Sequence, residues 1–362
     1  MSSALSTYGF VSAKLKTRIS KTLPPETIER LVRAGSLVEA MQLLRGTAFA
    51  TIEEAYAATG DLLAGEALVV AREIELYTSL FRYFEDPVLA FVKSLALRFE
   101  VDKLKNAVRL WFDSRVRGRN IDGRSGYVYL PVIVNRFDVD AVVRAPDAEG
   151  VVKALEGTPY AAIARDRLPA VTAGRSVFPF EMALDRHYFE MVFAAAARLG
   201  TADRLAAERV LGIDVDMQNV SYLVRAGDFK GARGESVLDW LIPRGRAIDA
   251  ATVARAMAAG IGSATEGKAG GVLGIELLRG SYGNIGALLG SGGNAASRLA
   301  FLEGALRQIS ADEAGRNLAG YPFSIGIVLA YFTRAREELR TVMTILNAKN
   351  YAMPEERIRS AL

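Results

Sequence analysis

Three stretches of this 362-residue chain carry one pattern. Glu100-x-x-Lys103-Leu104-x-x-Ala107-Val108-Arg109 is matched by Asp216-x-x-Asn219-Val220-x-x-Leu223-Val224-Arg225. Both are matched by Glu338-x-x-Thr341-Val342-x-x-Ile345-Leu346-Asn347. Each reads as an acid, a polar residue, an apolar residue, an apolar pair and a last polar residue. The acids stand 116 and 122 residues apart, close to a third of the chain and to the size of a domain. A period that long excludes the short solenoid repeats and points to three similar, domain-sized units.

A second match supports the first. Leu31-Val32-Arg33-Ala34, followed by Leu44-Arg45-Gly46-Thr47-Ala48-Phe49-Ala50, parallels Val142-Val143-Arg144-Ala145, followed by Leu155-Glu156-Gly157-Thr158-Pro159-Tyr160-Ala161, at an offset of 111 residues. No third copy of this motif is recognisable. Its place is taken by the glycine-rich stretch Gly260–Gly293. Blocks 1–118, 119–232 and 233–362 follow as the expected domains.

The periodicity inside the pattern is helical. Leu104, Val108 and Trp111 share one face, as do Val220 with Val224, and Leu339 with Val342 and Leu346. Pro24-Pro25-Glu26 and Pro354-Glu355-Glu356 are helix starts, where proline supplies its fixed φ and the acids favour the positive end of the dipole. The expected fold class is all-α. The one extended-looking segment, Tyr127–Val134, holds Pro131 and reads as a loop or an isolated edge.

Composition removes several function classes. With 51% hydrophobic residues the chain has ample material for packed cores. It has no cysteine, so no disulfide framework, thiol nucleophile or thiolate metal site is possible. The formal net charge of +4 is spread along the chain, unlike the basic stripe of a nucleic-acid binder. The short basic stretches, Arg115–Arg119 and Arg334–Arg336, suit acidic lipid headgroups or a protein partner. No run approaches the roughly 18 apolar residues of a membrane span; Val192–Ala197 and Ile325–Phe332 are too short. Lys14, Lys16, Arg18 and Lys21, with no acid before Glu26, give the N-terminus the look of a transit segment, but an ordinary first helix is the simpler reading.

The chemical motifs are decoys or structural. Gly262-Ser-Ala-Thr-Glu-Gly267-Lys268-Ala269 has the spacing of a phosphate-cradling loop. Ala269 lacks the hydroxyl that would hold magnesium, and the preceding Val253–Ala259 is helix-like where a strand belongs. A flexible connector is expected there. His187, the only histidine, forms an i, i+3 pair with Glu190, but a metal needs more ligands. No nucleophile elbow accompanies it. Asp138-Val-Asp140 and Asp214-Val-Asp216 fit no calcium loop, and Asp216 sits at the repeated acid, so a structural role is expected. Phe178, Phe180, Tyr188, Phe189 and Phe193 read as core before they read as a partner-binding strip. No catalytic, cofactor-binding or metal-ligating residue is assigned, and no interface residue can be chosen.

The C-terminus carries the most specific signal. Tyr321-Pro-Phe323-Ser-Ile325-Gly326 runs into Ile345-Leu346-Asn347-Ala348-Lys349-Asn350-Tyr351 and closes on Met353-Pro354-Glu355-Glu356-Arg357-Ile358-Arg359. This resembles the end of the C-type subunits of V/A-type ATPases, the counterparts of the d-type subunits in eukaryotes. Tyr8-Gly9-Phe10-Val11, with Lys14-Leu15-Lys16, is similar to that family's opening helix, and the repeats to its internal copies. The resemblance implies a non-catalytic, cofactor-free central-stalk (rotor) component of three similar helical domains in a pseudo-threefold funnel. Its implied place is peripheral, on the cytoplasmic face of the proteolipid ring. There it would receive the D and F proteins of the central shaft and serve ATP-linked proton or sodium transport. Two other readings stay open: a soluble helical scaffold, with or without nucleic acid, and a nucleotide-binding protein using Gly262–Ala269.

Overall fold

A computed structural model describes residues 4–122, 133–174, 176–228, 237–258 and 295–362. Among them there are sixteen α-helices, one 3-10 turn at Phe81–Tyr83 and no strand. The expected all-α class holds. Ile133 and Val134 lie in a bend, and the rest of the Tyr127–Val134 segment falls outside the described residues, as does Gly260–Gly293 with its Gly262–Ala269 loop.

The first five helices are α1 (Ala4–Ile19), α2 (Pro25–Arg33), α3 (Leu37–Leu43), α4 (Ala50–Thr59) and α5 (Leu62–Thr78). Next comes the long α6 (Val88–Arg115), then α7 (Val139–Arg144), α8 (Ala148–Ala154), α9 (Tyr160–Gly174) and α10 (Phe178–Ala196). The second long helix is α11 (Thr201–Asp228), followed by α12 (Val237–Trp240) and α13 (Ala250–Ala258). The chain ends with α14 (Ala295–Ala319), the third repeat-bearing helix α15 (Gly326–Asn350) and α16 (Glu355–Ala361). Both proline-acid signals open helices, Pro25 at the start of α2 and Pro354 just ahead of α16. The apolar runs around Val192 and Ile325 are ordinary helix, and no helix among the described residues is long and apolar enough to cross a membrane.

The chain divides into two compact bodies, each assembled from separate stretches. One contains Met1–Lys16 and Ala196–Arg334; the other contains Thr17–Ala195 and Ala335–Leu362. The basic N-terminal segment is part of a packed helix, with Tyr8, Val11 and Leu15 buried. In the first body the Tyr8 hydroxyl donates to Asp203 at 2.6 Å, and the other oxygen of that carboxylate accepts from the Ile325 amide at 2.9 Å. In the second body the core joins α2, α3, α4 and α5 to α15 and α16. Leu31, Val32, Met41, Leu44 and Ile52 pack in one cluster with Val342, Ile345, Leu346 and Ile358. Helices α4 and α5 approach closely at Gly65, where a Cβ would stand 3.0 Å from the Ile52 Cα.

The 111-residue match has a physical basis. The helix pair α2–α3 recurs as α7–α8, whose ends at 144 and 154 follow those at 33 and 43 by 111 residues. Ser36 accepts from the Glu39 amide at the start of α3, and Asp147 accepts from the Gly150 amide at the start of α8. Both caps satisfy a donor that the first helical turn leaves over. After each pair the chain turns through a glycine at positive φ, 75° at Gly46 and 81° at Gly157, where a side chain would be strained. The next threonine in each copy donates its hydroxyl to a carbonyl three residues back. Phe49 and Tyr160 then drop into buried positions.

Candidate functional site: three acid clasps and an open groove

The repeated acids hold backbone. Glu100 is buried in the middle of α6 and accepts four hydrogen bonds. The donors are the amides of Val134 and of Asn135 at 2.7 Å, the Asn135 side chain at 2.8 Å and the Tyr160 hydroxyl at 2.9 Å. Asp216, in the middle of α11, accepts from the amides of Ala247 at 2.9 Å and Ile248 at 2.8 Å. Glu338, on α15, accepts from the Leu23 amide at 2.5 Å. In every copy, then, a long helix uses its acid to fix the chain just ahead of a short helix: α7, α13 or α2. Such charge-assisted bonds are among the strongest that a backbone amide makes.

The correspondence between α6 and α15 is detailed. Leu23 and Val134 differ by the same 111 residues. Eleven residues beyond the acid, the long helix makes a second contact. Trp111 donates its indole N–H to the Ala145 carbonyl at 3.1 Å, and Lys349 donates its ammonium to the carbonyls of Val32 and Ala34 at 2.7 and 2.5 Å. Ala34 and Ala145 cap the ends of α2 and α7, where carbonyls lack helical partners. Each long helix therefore grips its short helix at both ends. For α15 that short helix lies at the other end of the sequence, and an Arg359–Glu29 ion pair at 2.5 Å reinforces the closure.

The third copy of the short-helix motif, unrecognised in the sequence, begins at α13. Asp249 accepts from the Thr252 amide at 2.7 Å, as Asp138 accepts from Asp140 and Ala141 at the start of α7. Asn219, at the repeated polar position, adds to this clasp. Its amide donates to the carbonyls of Ile242 and Ile248 and accepts from the Ile242 amide at 2.8 Å.

A second layer of buried charge ties α6 to α10. Asp185 accepts from Lys105 and, at 3.3 Å, from Arg98, while Glu181 accepts from Arg109 at 2.5 Å. Burial lowers the Lys105 pKa, and the Asp185 carboxylate opposes that shift. Removing one member of such a pair leaves an uncompensated buried charge, which is strongly destabilising.

The remaining candidates resolve as structural. Asp138 is a helix cap, Asp140 pairs with Arg144 at 3.0 Å, and Asp216 is the clasp already described. His187 is half-buried with its ring edge-on to Tyr160, its pKa lowered by burial against the pull of Glu190. Among the described residues no three potential metal ligands gather. Phe178, Phe180, Tyr188, Phe189 and Phe193 are all buried, so the aromatic strip is core. Of the first basic stretch, Arg117 and Arg119 turn back onto Asp113. Of the second, Arg336 lines a groove.

That groove, about 600 Å³, runs along α15 between α5 and α16. Arg336, Leu339, Arg340, Met343, Asn347 and Tyr351 line it from α15 and its end, and Glu66 from α5. Burial raises the Glu66 carboxyl above its ordinary value.

The model of the ATP synthase (C/AC39) subunit family matches residues 11–361. The chain belongs to the ATP synthase (C/AC39) subunit family. The C-type subunit of the A-type ATP synthase of Methanocaldococcus jannaschii is 22% identical, over 99% of this chain and 86% of its own length. Its counterpart in Methanothermobacter thermautotrophicus is 22% identical, over 98% and 87%. The resemblance read from the two termini and the acid repeats thus pointed to the right family. In this C/AC39 protein the repeated acids are parts of the frame.

A further buried acid lies outside both the clasps and the α6–α10 layer. Glu73, on α5, accepts from the Tyr77 hydroxyl at 3.1 Å. Burial raises its pKa above 4.5, with Tyr77 and Arg336 opposing and Glu338 adding to the rise. A carboxyl with a raised folded pKa gives its full stability below its unfolded value and loses it as pH rises through the folded one. Glu73→Gln keeps the acceptor and removes the ionisation. Its melting temperature should exceed that of the parent at about pH 8 and equal it at about pH 4. A pH-independent difference would show that Glu73 does not titrate in this range.

Proposed function

We propose that this protein is the non-catalytic coupling component of a rotary A-type ATP synthase, peripheral to the cytoplasmic face of the membrane. In this reading three similar helical domains form a funnel that seats on the proteolipid ring and receives the D and F proteins of the shaft. Family membership over nearly the whole chain supports it. The observation that carries it physically is the acid clasp found three times.

A coupling part must pass torque between two interfaces without yielding. A short helix whose leading backbone is clasped by a carboxylate on a long helix, and whose far end in α2 and α7 is gripped as well, is hard to shift along that long helix, because the bonds fall on backbone. Catalysis asks for the opposite arrangement, polar groups aimed at an open pocket, and here the acids of the repeat are turned onto the chain itself. Charged surfaces of both signs suit a shaft contact that forms quickly and weakens with salt.

The test is direct binding. The tagged protein should retain a D–F shaft complex and, separately, a detergent-solubilised proteolipid ring at low ionic strength, and should release the shaft as salt is raised. Failure to hold either partner at low salt overturns the reading.

A further inference from the structure

The clasp on Asp216 differs from the other two in one respect: it holds an arginine in place. Asp216 accepts from the Ala247 amide, and Arg246 stands just before it. Thr22 and Ile133 occupy the corresponding places before Leu23 and Val134, so the repeated frame does not ask for a charge there. Arg246 is pressed onto α11. Its amide donates to the Gly212 carbonyl at 3.1 Å, and a Cβ on Gly212 would stand 3.1 Å from the Cβ of Arg246. The bare backbone at Gly212 makes that approach possible.

Among the described residues, three arginines meet at this point. Glu313, on α14, is buried. Arg209 of α11 reaches it at 3.3 Å, Arg316 of α14 at 2.9 Å and Arg246 at 3.9 Å. Their side chains are 58%, 68% and 40% exposed, so the acid lies beneath and the guanidiniums above it. One carboxylate balances one guanidinium. Among the described residues Glu313 is the one acid that pairs with either Arg209 or Arg316. The acids beside them are engaged elsewhere: Glu208 turns to Arg204 at 3.7 Å, and Asp312 accepts from Gln308 at 2.9 Å. The patch is therefore positive, and each guanidinium keeps N–H donors that Glu313 does not use.

Large side chains frame the patch. Leu205 lies one turn ahead of Arg209 on the same face of α11 and is 49% exposed. Tyr321, just past the end of α14 that carries Arg316, is 64% exposed. Tyrosine and arginine are residues on which binding between proteins most often turns. A lipid-binding polybasic segment is built differently, from about four to eight loosely held cations. Here the arginines are seated on one buried acid, and Arg246 is fixed by its backbone as well.

We propose that Arg209, Arg246 and Arg316 form a docking point for an acidic segment of another protein of the synthase. Its carboxylates take the outward N–H groups of the arginines, and an apolar residue beside them rests on Leu205 and Tyr321. Guanidinium–carboxylate pairs fix orientation as well as adding affinity. The proposal rests on the coupling reading, since that reading places the chain inside a synthase.

The chain has no cysteine, so Leu205→Cys supplies its single thiol. A benzophenone attached there in the assembled synthase should, on irradiation, capture one other protein through a segment rich in acids, identified by mass spectrometry. Arg316→Gln should lower the yield about tenfold, the scale of one lost charge-assisted contact. It should leave assembly and the melting temperature unchanged, because Arg209 and Arg246 still face Glu313. A lowered melting temperature would make Arg316 a partner of Glu313 alone and overturns the proposal. So does a yield that Arg316→Gln leaves unchanged, or capture of lipid, of nucleic acid, of a second copy of this chain or of a segment without acids. An assembled synthase with no crosslink overturns this site and leaves the coupling reading standing. A chain that never enters the synthase overturns the coupling reading and this site with it.

Discussion

Glu100→Ala is expected to destabilise the protein by about 3 kcal/mol, the largest loss from any single change at the clasps of the second body. The reasoning starts from what the carboxylate holds. Four donors converge on it: two backbone amides, the Asn135 side chain and the Tyr160 hydroxyl. Tyr160 is fully buried, so its hydroxyl has no water to turn to when the acceptor goes. A buried donor left without a partner costs about 1–3 kcal/mol, while amides near the surface recover part of their loss from solvent. The total is therefore below the sum of four full bonds. Glu100→Gln keeps one oxygen and loses the charge, so it should cost roughly half as much. Glu338→Ala, which frees one amide, should cost about 1 kcal/mol. Urea unfolding followed by the helix signal gives all three values. A Glu100→Ala protein as stable as the parent would mean that the clasp is geometry without energy.

Much of this frame was legible in the sequence, and the limit is instructive. Acid positions 100, 216 and 338, the helical faces beside them, and the Gly-Thr turns at 46 and 157 all stood out, because each needs a particular residue type. Their partners did not. Glu100, Asp216 and Glu338 bind main-chain amides, and an amide leaves no mark on the residue that carries it. Val134, Ala247 and Leu23 share only an aliphatic side chain, which marks no hydrogen-bond partner. The equivalence of Leu23 and Val134 was present in the 111-residue offset, but only for a reader who already knew that backbone was the ligand. The helix-end contact was hidden for another reason. Trp111 and Lys349 are unlike residues doing one job, since an indole N–H and an ammonium both donate to a free carbonyl. The start of the third short-helix copy at α13 was missed because its helix is alanine-rich and keeps little of the pattern beyond the capping acid, Asp138 at α7 and Asp249 here, and one buried aliphatic residue, Leu31, Val142 or Val253. The groove was invisible, because its lining comes from α5, α15 and α16, and no local pattern links Glu66 to Arg357.

Gly245→Ala should cost about 3 kcal/mol, although it adds a single methyl group. Where the methyl would go decides this. A Cβ on Gly245 falls inside van der Waals contact with the Ile248 carbonyl oxygen and the Asp216 carboxylate, and 2.9 Å from the Ile248 carbonyl carbon. None of these atoms ends a flexible side chain. Asp216 is fully buried and committed to the amides of Ala247 and Ile248. The Ile248 carbonyl is held by Asn219 at 2.7 Å. The methyl is accommodated only if the segment from Ile242 to Ile248 lifts off α11, which breaks the clasp. Gly46→Ala is the informative comparison. Gly46 has φ 75° and open space around it, so a methyl there meets only the conformational penalty, about 1 kcal/mol. Gly245 itself has no positive φ, so if the two variants lose the same stability the crowding at 245 is relieved at no more than the cost of an ordinary conformational penalty. A double variant separates the causes further. With Asp216→Ala the clasp is already open, so adding Gly245→Ala should cost much less than it does alone, a coupling of at least about 1 kcal/mol. Strict additivity would show that the collision with Ile248 dominates and that the acid at the repeated position is a bystander.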